Sequence, residues 1–319
     1  MELRWDPTLC EWVMVSNVRE SRPWRPAGGC PFCPGSPEVP EGVEAPVVLE
    51  NRFPMLSPNP PEVEVGEYPL VRAPARGACY VIVETLEHDL PDISSLSVED
   101  VARVIEEVGR LTLKARGEGY AYLLWFRNRG EEVGVSLTHP HSQVYVTPFV
   151  PSRVAREDSS ARRYFRRFGR CLFCDVLGAE LREGSRVVWV GEHSAAFVPF
   201  YAHWPFETHI YVRRHAQYFS DLSRGEVEDL ALTLKKVLAG LDRVFGRPMP
   251  YVLAAHQAPL RGDVRHYHLH IEVYGMLRVS GRLKYAAGME QGGGNFTYDS
   301  TPEHVAEILR RAVGFRGSQ

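Results

Sequence analysis

Residues 134–148 read GVSLTHPHSQVYVTP and place His139, His141 and Gln143 at every second position. In an extended strand alternate side chains share a face, so these three polar groups line one surface while Pro140 and Ser142 point away. A lone imidazole is usually a hydrogen-bonded, half-buried residue. Three aligned polar groups beside Val144, Tyr145 and Val146 are harder to explain as core. Four of the six cysteines form two Cys-x-x-Cys pairs, Cys30 with Cys33 in GGCPFCPG and Cys171 with Cys174 in GRCLFCDV. In a cytosolic chain such pairs read as metal or redox groups before structural disulfides. Cys10 and Cys79 are left over and read as small buried hydrophobes.

The elements that must position these groups occur twice in the same order. After Cys30 and Cys33 come a strand-like YVIVET, the segment EHDLPDISSLS with His88, a helix-like SVEDVARVIEEVGRLTLKA, a strand-like YAYLLWFRN and then THPHSQVYV. After Cys171 and Cys174 come AAFVPF, THIYVRRHAQYFSDLS with His215, a helix-like RGEVEDLALTLKKVLAGLDRVFG, then YVLAAHQAP and RHYHLHIEVYG. His88 precedes His139 by 51 residues, and His215 precedes His266 by 51. That equality aligns His139–His141–Gln143 with His266–His268–His270. The reading is an α+β protein of two tandem units, residues 1–165 and 166–319, each an antiparallel sheet with a long helix packed on it. The Arg-rich PSRVAREDSSARRYFRRFGR connects them, and Thr301-Pro302 starts a tail helix with Thr as N-cap and Pro at the first helical position.

Each unit thus offers two thiolates and two imidazoles: Cys30, Cys33, His88 and His139, then Cys171, Cys174, His215 and His266. Two sulfurs and two ring nitrogens fill the tetrahedral shell of zinc and leave no place for a reacting water, so the expected zinc, one or two per chain, is structural. Gly28-Gly29 and the prolines around the first pair supply a tight knuckle.

The 319 residues carry a formal net charge of −3, with 44% hydrophobic and 24% charged residues. These are ordinary values for a soluble globular protein and give no sign of a nucleic-acid or membrane surface. No apolar run approaches the ~18–20 residues needed to span a bilayer. MELRWDPTLCEW lacks a signal-peptide core, and the expectation is a cytoplasmic protein. Lysine occurs only at 114, 235, 236 and 284, and there are 24 prolines. This bias suits a thermophile, although GC-rich codon usage gives the arginine excess too.

Taken together, RESRPWRP, CPFC, ETLEHDL, FRNRG, THPHSQ, FVPFYAHWPFETHIYVRRH and HYHLH resemble the galactose-1-phosphate uridylyltransferase family, a duplicated branch of the histidine-triad superfamily. The resemblance runs over nearly the whole chain. It implies a ping-pong nucleotidylyltransferase of galactose metabolism. In this family the second histidine of His-Pro-His, here His141, attacks the α-phosphorus of UDP-glucose. A uridylyl-histidine forms, and galactose 1-phosphate then takes the nucleotide. Neutral imidazole is a good nucleophile near pH 7, and a phosphate leaving group needs no strong acid. Gln143 can donate a hydrogen bond to a phosphoryl oxygen but has no proton to exchange with attacking water, which suits a transferase over a hydrolase.

The same resemblance implies that Arg19 and Arg22 lie near the sugar phosphate and that Asn51, Arg52 and Phe53 form the base-binding turn. It also implies that Asn128 and Ser136 contact sugar and phosphate, and that Lys284, Tyr285, Gly288 and Glu290 belong to a loop holding phosphate and hexose hydroxyls. Some relatives hold a second metal on a glutamate and three histidines, here Glu157, His256, His268 and His270, as an alternative to the second cysteine set. Relatives are homodimers whose site is completed by a neighbour's loop. Arg52 and Ser142 stand where the galactose enzymes usually carry Asp and Gly, and the sugar loop continues as QGGGNFTYDS. Two other readings remain: an ADP-glucose phosphorylase-like adenylyltransferase, and an inactive nucleotide-binding or sensing protein.

Overall fold

The computed structural model describes residues 1–17 and 29–315. Its first part contains β1 (Glu2–Asp6), β2 (Glu11–Val15), β3 (Val47–Glu50), β4 (Arg72–Pro74), β5 (Ala78–Val83), α1 (Val98–Gly117), β6 (Tyr122–Arg129) and β7 (His141–Thr147). Then follow α2 (Ser152–Phe168), α3 (Leu172–Glu183), β8 (Val187–Val190), β9 (Ser194–Phe197), β10 (Thr208–Val212), α4 (Arg224–Phe245), β11 (Tyr251–His256), β12 (His270–Gly275), β13 (Leu277–Val279), β14 (Arg282–Leu283) and α5 (Pro302–Val313).

Nine strands form one sheet in the order β3-β5-β7-β6-β11-β12-β10-β9-β8, antiparallel throughout. The repeat seen in the sequence is visible as a mirrored strand order: β5-β7-β6 on one side of the centre and β11-β12-β10 on the other. The two copies join through β6 and β11, with Phe126 opposite Ala254 and Arg127 opposite Leu253. The hairpin β1–β2 pairs with β4 in a separate small sheet.

Helices α1 and α4 occupy one face of the nine-stranded sheet because their apolar residues recur at helical spacing. Val101, Ile105, Val108, Leu111 and Ala115 are buried from α1, and Val227, Leu230, Leu234, Val237 and Leu241 from α4. Ser97 caps α1 by accepting from the Asp100 amide, and Ser223 with Glu226 forms a capping box on α4. Under the helices β6 buries Leu123, Trp125 and Arg127, while Leu124, Phe126 and Asn128 turn to the other face. Trp125 is fully buried edge-on against Phe219, and its truncation to alanine carries a cost of about 3–5 kcal/mol.

The Arg-rich connection is helical. Its sequence is polar on most sides, yet Arg, Glu and Ala favour helix, and Arg162 pairs with Asp158 one turn away at 3.2 Å. Gly169, at φ +68°, ends α2, and Cys171 stands at the N-cap of α3. The tail helix α5 begins as expected, Thr301 accepting from the His304 amide with Pro302 at the first helical position.

Candidate active site and metal cages

His141 opens β7, opposite Val83 of β5, and Gln143 lies between Val81 of β5 and Phe126 of β6. Alternation then puts Ser142, Val144 and Val146 on the buried helix face and leaves His141, Gln143 and Tyr145 on the other. That outer face is the floor of a cavity of about 820 Å³, walled by the Cys30–Glu38 knuckle and the Glu50–Phe53 turn. A second lobe of about 360 Å³, lined by Asn128, Ser136 and Tyr145, shares His141 and Gln143 with it.

The His141 Nδ1 lies 2.8 Å from the His139 carbonyl oxygen. A carbonyl only accepts, so Nδ1 carries the proton and Nε2 carries the lone pair, the tautomer a nucleophile requires. The Asn51 side chain donates to Gln143 Oε1 at 3.4 Å, which orients the glutamine with its amide nitrogen available to donate. Phe32 sits 5.1 Å from the His141 ring, centroid to centroid.

The cavity therefore gathers His141, Gln143, Asn51, Arg52, Phe53, Asn128 and Ser136. Arg19 and Arg22 lie outside the described residues. Lys284, Tyr285, Gly288 and Glu290 line neither lobe. Lys284 is buried, its ammonium donating to the Thr297 carbonyl and standing 3.4 Å from Glu290, while the Thr297 side chain and neighbouring backbone amides hold the Glu290 carboxyl down to about 2. Phe32 and Glu38 join the cavity without having been singled out in the sequence. An aromatic placed between two cysteines that face a reactive strand was the available signal for the first.

The first cysteine set converges as expected. Cys30 Sγ is 3.6 Å from His139 Nδ1, and Cys33 Sγ is 3.4 Å from His88 Nδ1 and 3.8 Å from His139 Nδ1. A tetrahedral ion bonded to sulfur and nitrogen demands S···N edges of about 3.6 Å. His139 Nε2 donates to the Thr85 carbonyl at 2.7 Å, so Nδ1 presents its lone pair to the sulfurs. Burial lowers the His139 pKa and so favours the neutral ring a metal needs, while it pushes the Cys30 thiol up to about 11. A cation would be required to hold the Cys30 sulfur as a thiolate at neutral pH.

The second set also converges, with a correction at one position. The fourth donor is His268, not His266: Cys174 Sγ lies 3.2 Å from both His215 Nδ1 and His268 Nδ1, with Cys171 beside them. His268 Nε2 donates to the Val212 carbonyl at 2.9 Å, repeating the His139–Thr85 bond, and His270 Nδ1 lies 2.9 Å from the His268 carbonyl, repeating the His141–His139 bond. His266 turns away and meets Asp158 at 2.6 Å. The interval from His215 is two residues longer than the first copy suggests, so the true alignment is His139–His141–Gln143 with His268–His270–Glu272.

The alternative set is corrected in the same way. Glu157, His256 and His270 come together with Glu272, and His268 is not among them. His256 Nδ1 is 3.1 Å from Glu157, and His270 Nε2 is 3.5 Å from Glu272. Burial works to raise the Glu272 carboxyl, but His209 and His256 hold it well below the usual range. The cysteine set and the carboxylate set share no residue, so the second copy accommodates both. His270, the counterpart of His141, is 2% exposed and faces carboxylates instead of a cavity.

One His-x-His strand opening onto a cavity and a second sealed inside the same sheet define a duplicated histidine-triad protein. The models of the galactose-1-phosphate uridyl transferase N-terminal and C-terminal domains match residues 1–151 and 157–314. A galactose-1-phosphate uridylyltransferase of Thermotoga maritima is 37% identical over 97% of this chain and 98% of its own length. A solved uridylyltransferase structure is 44% identical with a TM-score of 0.91, covering 98% of this chain and 99% of its own. An ADP-glucose phosphorylase of Arabidopsis thaliana with bound ADP-glucose is 27% identical with a TM-score of 0.74, over 97% and 99%. The chain belongs to the galactose-1-phosphate uridylyltransferase family. It is a transferase.

Proposed function

We propose that this chain moves a uridylyl group from UDP-glucose to galactose 1-phosphate in two displacements at His141. The observation that carries the assignment is the tautomer fixed by the His139 carbonyl, which sets the His141 Nε2 lone pair at the floor of the cavity. In the first displacement Nε2 bonds to the α-phosphorus as the bond to the bridging oxygen breaks, and glucose 1-phosphate leaves with that electron pair. In the second a phosphate oxygen of galactose 1-phosphate attacks the same phosphorus, the P–N bond breaks and UDP-galactose departs. Gln143 donates to the phosphoryl oxygens in both. Asn51, Arg52 and Phe53 hold the base, and Asn128 and Ser136 the sugar and phosphate.

Zinc suits the Cys30–Cys33–His88–His139 cage and its Cys171–Cys174–His215–His268 counterpart, where it would supply cross-links and no chemistry. A His268→Ala protein is expected to lose one zinc per chain while His266→Ala keeps the full complement, as read by elemental analysis. Equal zinc contents in the two variants would contradict the donor set.

A homodimer in which the loop of Lys284, Tyr285, Gly288 and Glu290 reaches a neighbour's cavity accounts for their absence from the lining of both lobes in one chain. No helix among the described residues is long and apolar enough to cross a membrane, and a cytoplasmic setting suits two Cys-x-x-Cys pairs that each face imidazoles in a cage. The second reading, adenylyl transfer from ADP-glucose to inorganic phosphate, draws on Arg52, which faces Glu38 across the cavity wall at 3.8 Å. A panel of UDP- and ADP-sugars scored for sugar 1-phosphate release decides between them, and release from neither is the outcome of an inactive nucleotide-binding protein.

Gln143→His is expected to raise the ratio of UDP-glucose hydrolysis to transfer, because a ring nitrogen can exchange a proton with attacking water where the amide cannot. The ratio is measured with and without galactose 1-phosphate. An unchanged ratio would assign the exclusion of water to site closure and leave Gln143 a phosphate holder only.

A further inference from the structure

Strand β7 loses its backbone neighbours just where chemistry is required of it. Its ladder with β6 stops at Phe126 opposite Gln143, and its ladder with β5 stops at Val83 opposite His141. The two residues before the nucleophile are held by two further bonds, the Glu84 amide to the Pro140 carbonyl at 3.1 Å and His139 Nε2 to the Thr85 carbonyl at 2.7 Å. Both tethers come from the single dipeptide Glu84–Thr85.

That dipeptide is itself anchored by charge. Glu84 is 1% exposed, and Arg127 Nε reaches its two oxygens at 3.0 and 3.3 Å. The Arg127 Nη1 lies 2.9 Å from Asp92 Oδ1 and 3.1 Å from the Tyr251 hydroxyl, which donates to Asp92. Arg129 continues the chain of contacts, at 3.3 Å from Asp92 and 2.6 Å from Asp242 of α4. Tyr251 and Asp242 belong to the second copy, so the anchor crosses the β6–β11 junction. Neither Glu84 nor Arg127 lines the cavity. Buried ion pairs are costly, and well-packed apolar side chains commonly stabilise a fold as well or better. What the pair adds is direction, because the planar guanidinium that gives Nε to Glu84 is itself oriented by Asp92 and Tyr251 through Nη1.

We propose that the buried Glu84–Arg127 ion pair is a positioning device for His141, holding the His139–Pro140 segment in place where the sheet's own hydrogen bonds end. Neither residue touches substrate. The pair acts through the Glu84 and Thr85 backbone on the Pro140 carbonyl and the His139 ring, and so on the His139 carbonyl between them that holds the Nδ1 proton of His141. A shift of about 1 Å in a reacting group costs up to about 10²-fold in rate.

This inference rests on His141 being the nucleophile, and the test separates the two. Wild type, Glu84→Gln and the double variant Glu84→Gln/Arg127→Gln are compared for the rate of label uptake from [α-³²P]UDP-glucose, KM, Tm and zinc content. The single variant leaves Arg127 sharing Asp92 with Arg129 as its buried carboxylate and is expected to lose both Tm and uptake rate, the rate by about 10-fold or more with KM within about twofold. The double variant removes both charges and is expected to regain Tm while its rate stays low. A double variant that recovers rate together with Tm overturns the proposal. So does a folded variant of either kind with the wild-type rate, or a loss expressed only as a higher KM. If Glu84→Gln does not accumulate, the double variant decides alone. A wild-type protein that takes no label overturns the nucleophile assignment and, with it, the object being positioned.

Discussion

A His141→Ala protein incubated with [α-³²P]UDP-glucose is expected to carry no label, while the wild type carries one that is lost in acid and kept in base, as phosphohistidine bonds are. Turnover should fall by about 10⁴-fold or more, because removing a covalent nucleophile closes the stepwise route altogether. The fold should hardly notice. His141 is half-buried at the first residue of β7, and among the described residues its ring gives up a hydrogen bond to the His139 carbonyl and a contact with Phe32. Tm and zinc content near the wild-type values, together with the lost label, isolate the chemical role. Label retained by the alanine variant would move the nucleophile elsewhere.

Cys33→Ser should have the opposite profile, a large loss of stability ahead of any chemical effect. Cys33 Sγ faces both ring nitrogens of its cage, so its loss removes the donor that ties His88 to His139. Structural zinc contributes about 10–16 kcal/mol of apparent binding energy in small peptides, where metal and fold are one equilibrium. Here the surrounding sheet supports part of the site, and a loss of several kcal/mol is expected, read as a lower Tm and one zinc fewer per chain. The Cys30–Glu38 knuckle also walls the cavity, so the KM for UDP-glucose should rise with it. Unchanged zinc content and Tm would remove the metal from this site.

The difference between the two copies shows what a sequence can carry. Alternation at His139, His141 and Gln143 was legible because a strand's two-residue period is local and needs no partner. The first cage was legible because Cys30-Pro-Phe-Cys33 and the three histidines of the first copy, His88, His139 and His141, leave few other donors. In the second copy HYHLH supplies three histidines at the same period, and residue type cannot say which is first. That choice is made by the Val212 carbonyl, which selects His268, and by Asp158, which draws His266 away. Glu272 was missed for the same reason, since its role follows only once the register is known. Glu84, Asp92 and Arg127 were not legible at all. Each reads as an ordinary surface charge until the strands that bury it are brought together from distant parts of the chain.

The junction of β6 with β11 has a consequence for any attempt to divide the protein. Severed there, each fragment would display a bare row of amide and carbonyl groups along a strand whose neighbours are mostly apolar. On the first fragment the new edge would run beside Leu123 and Trp125, and on the second beside Leu253 and Ala255. Such an edge is a template for pairing with any other extended chain, its own copies included. Arg127 and Arg129 would stand on it deprived of Tyr251 and Asp242. Duplication has thus produced a partner that cannot be given up. The second copy, whose histidine is sealed, is the cover that keeps the working half from aggregating.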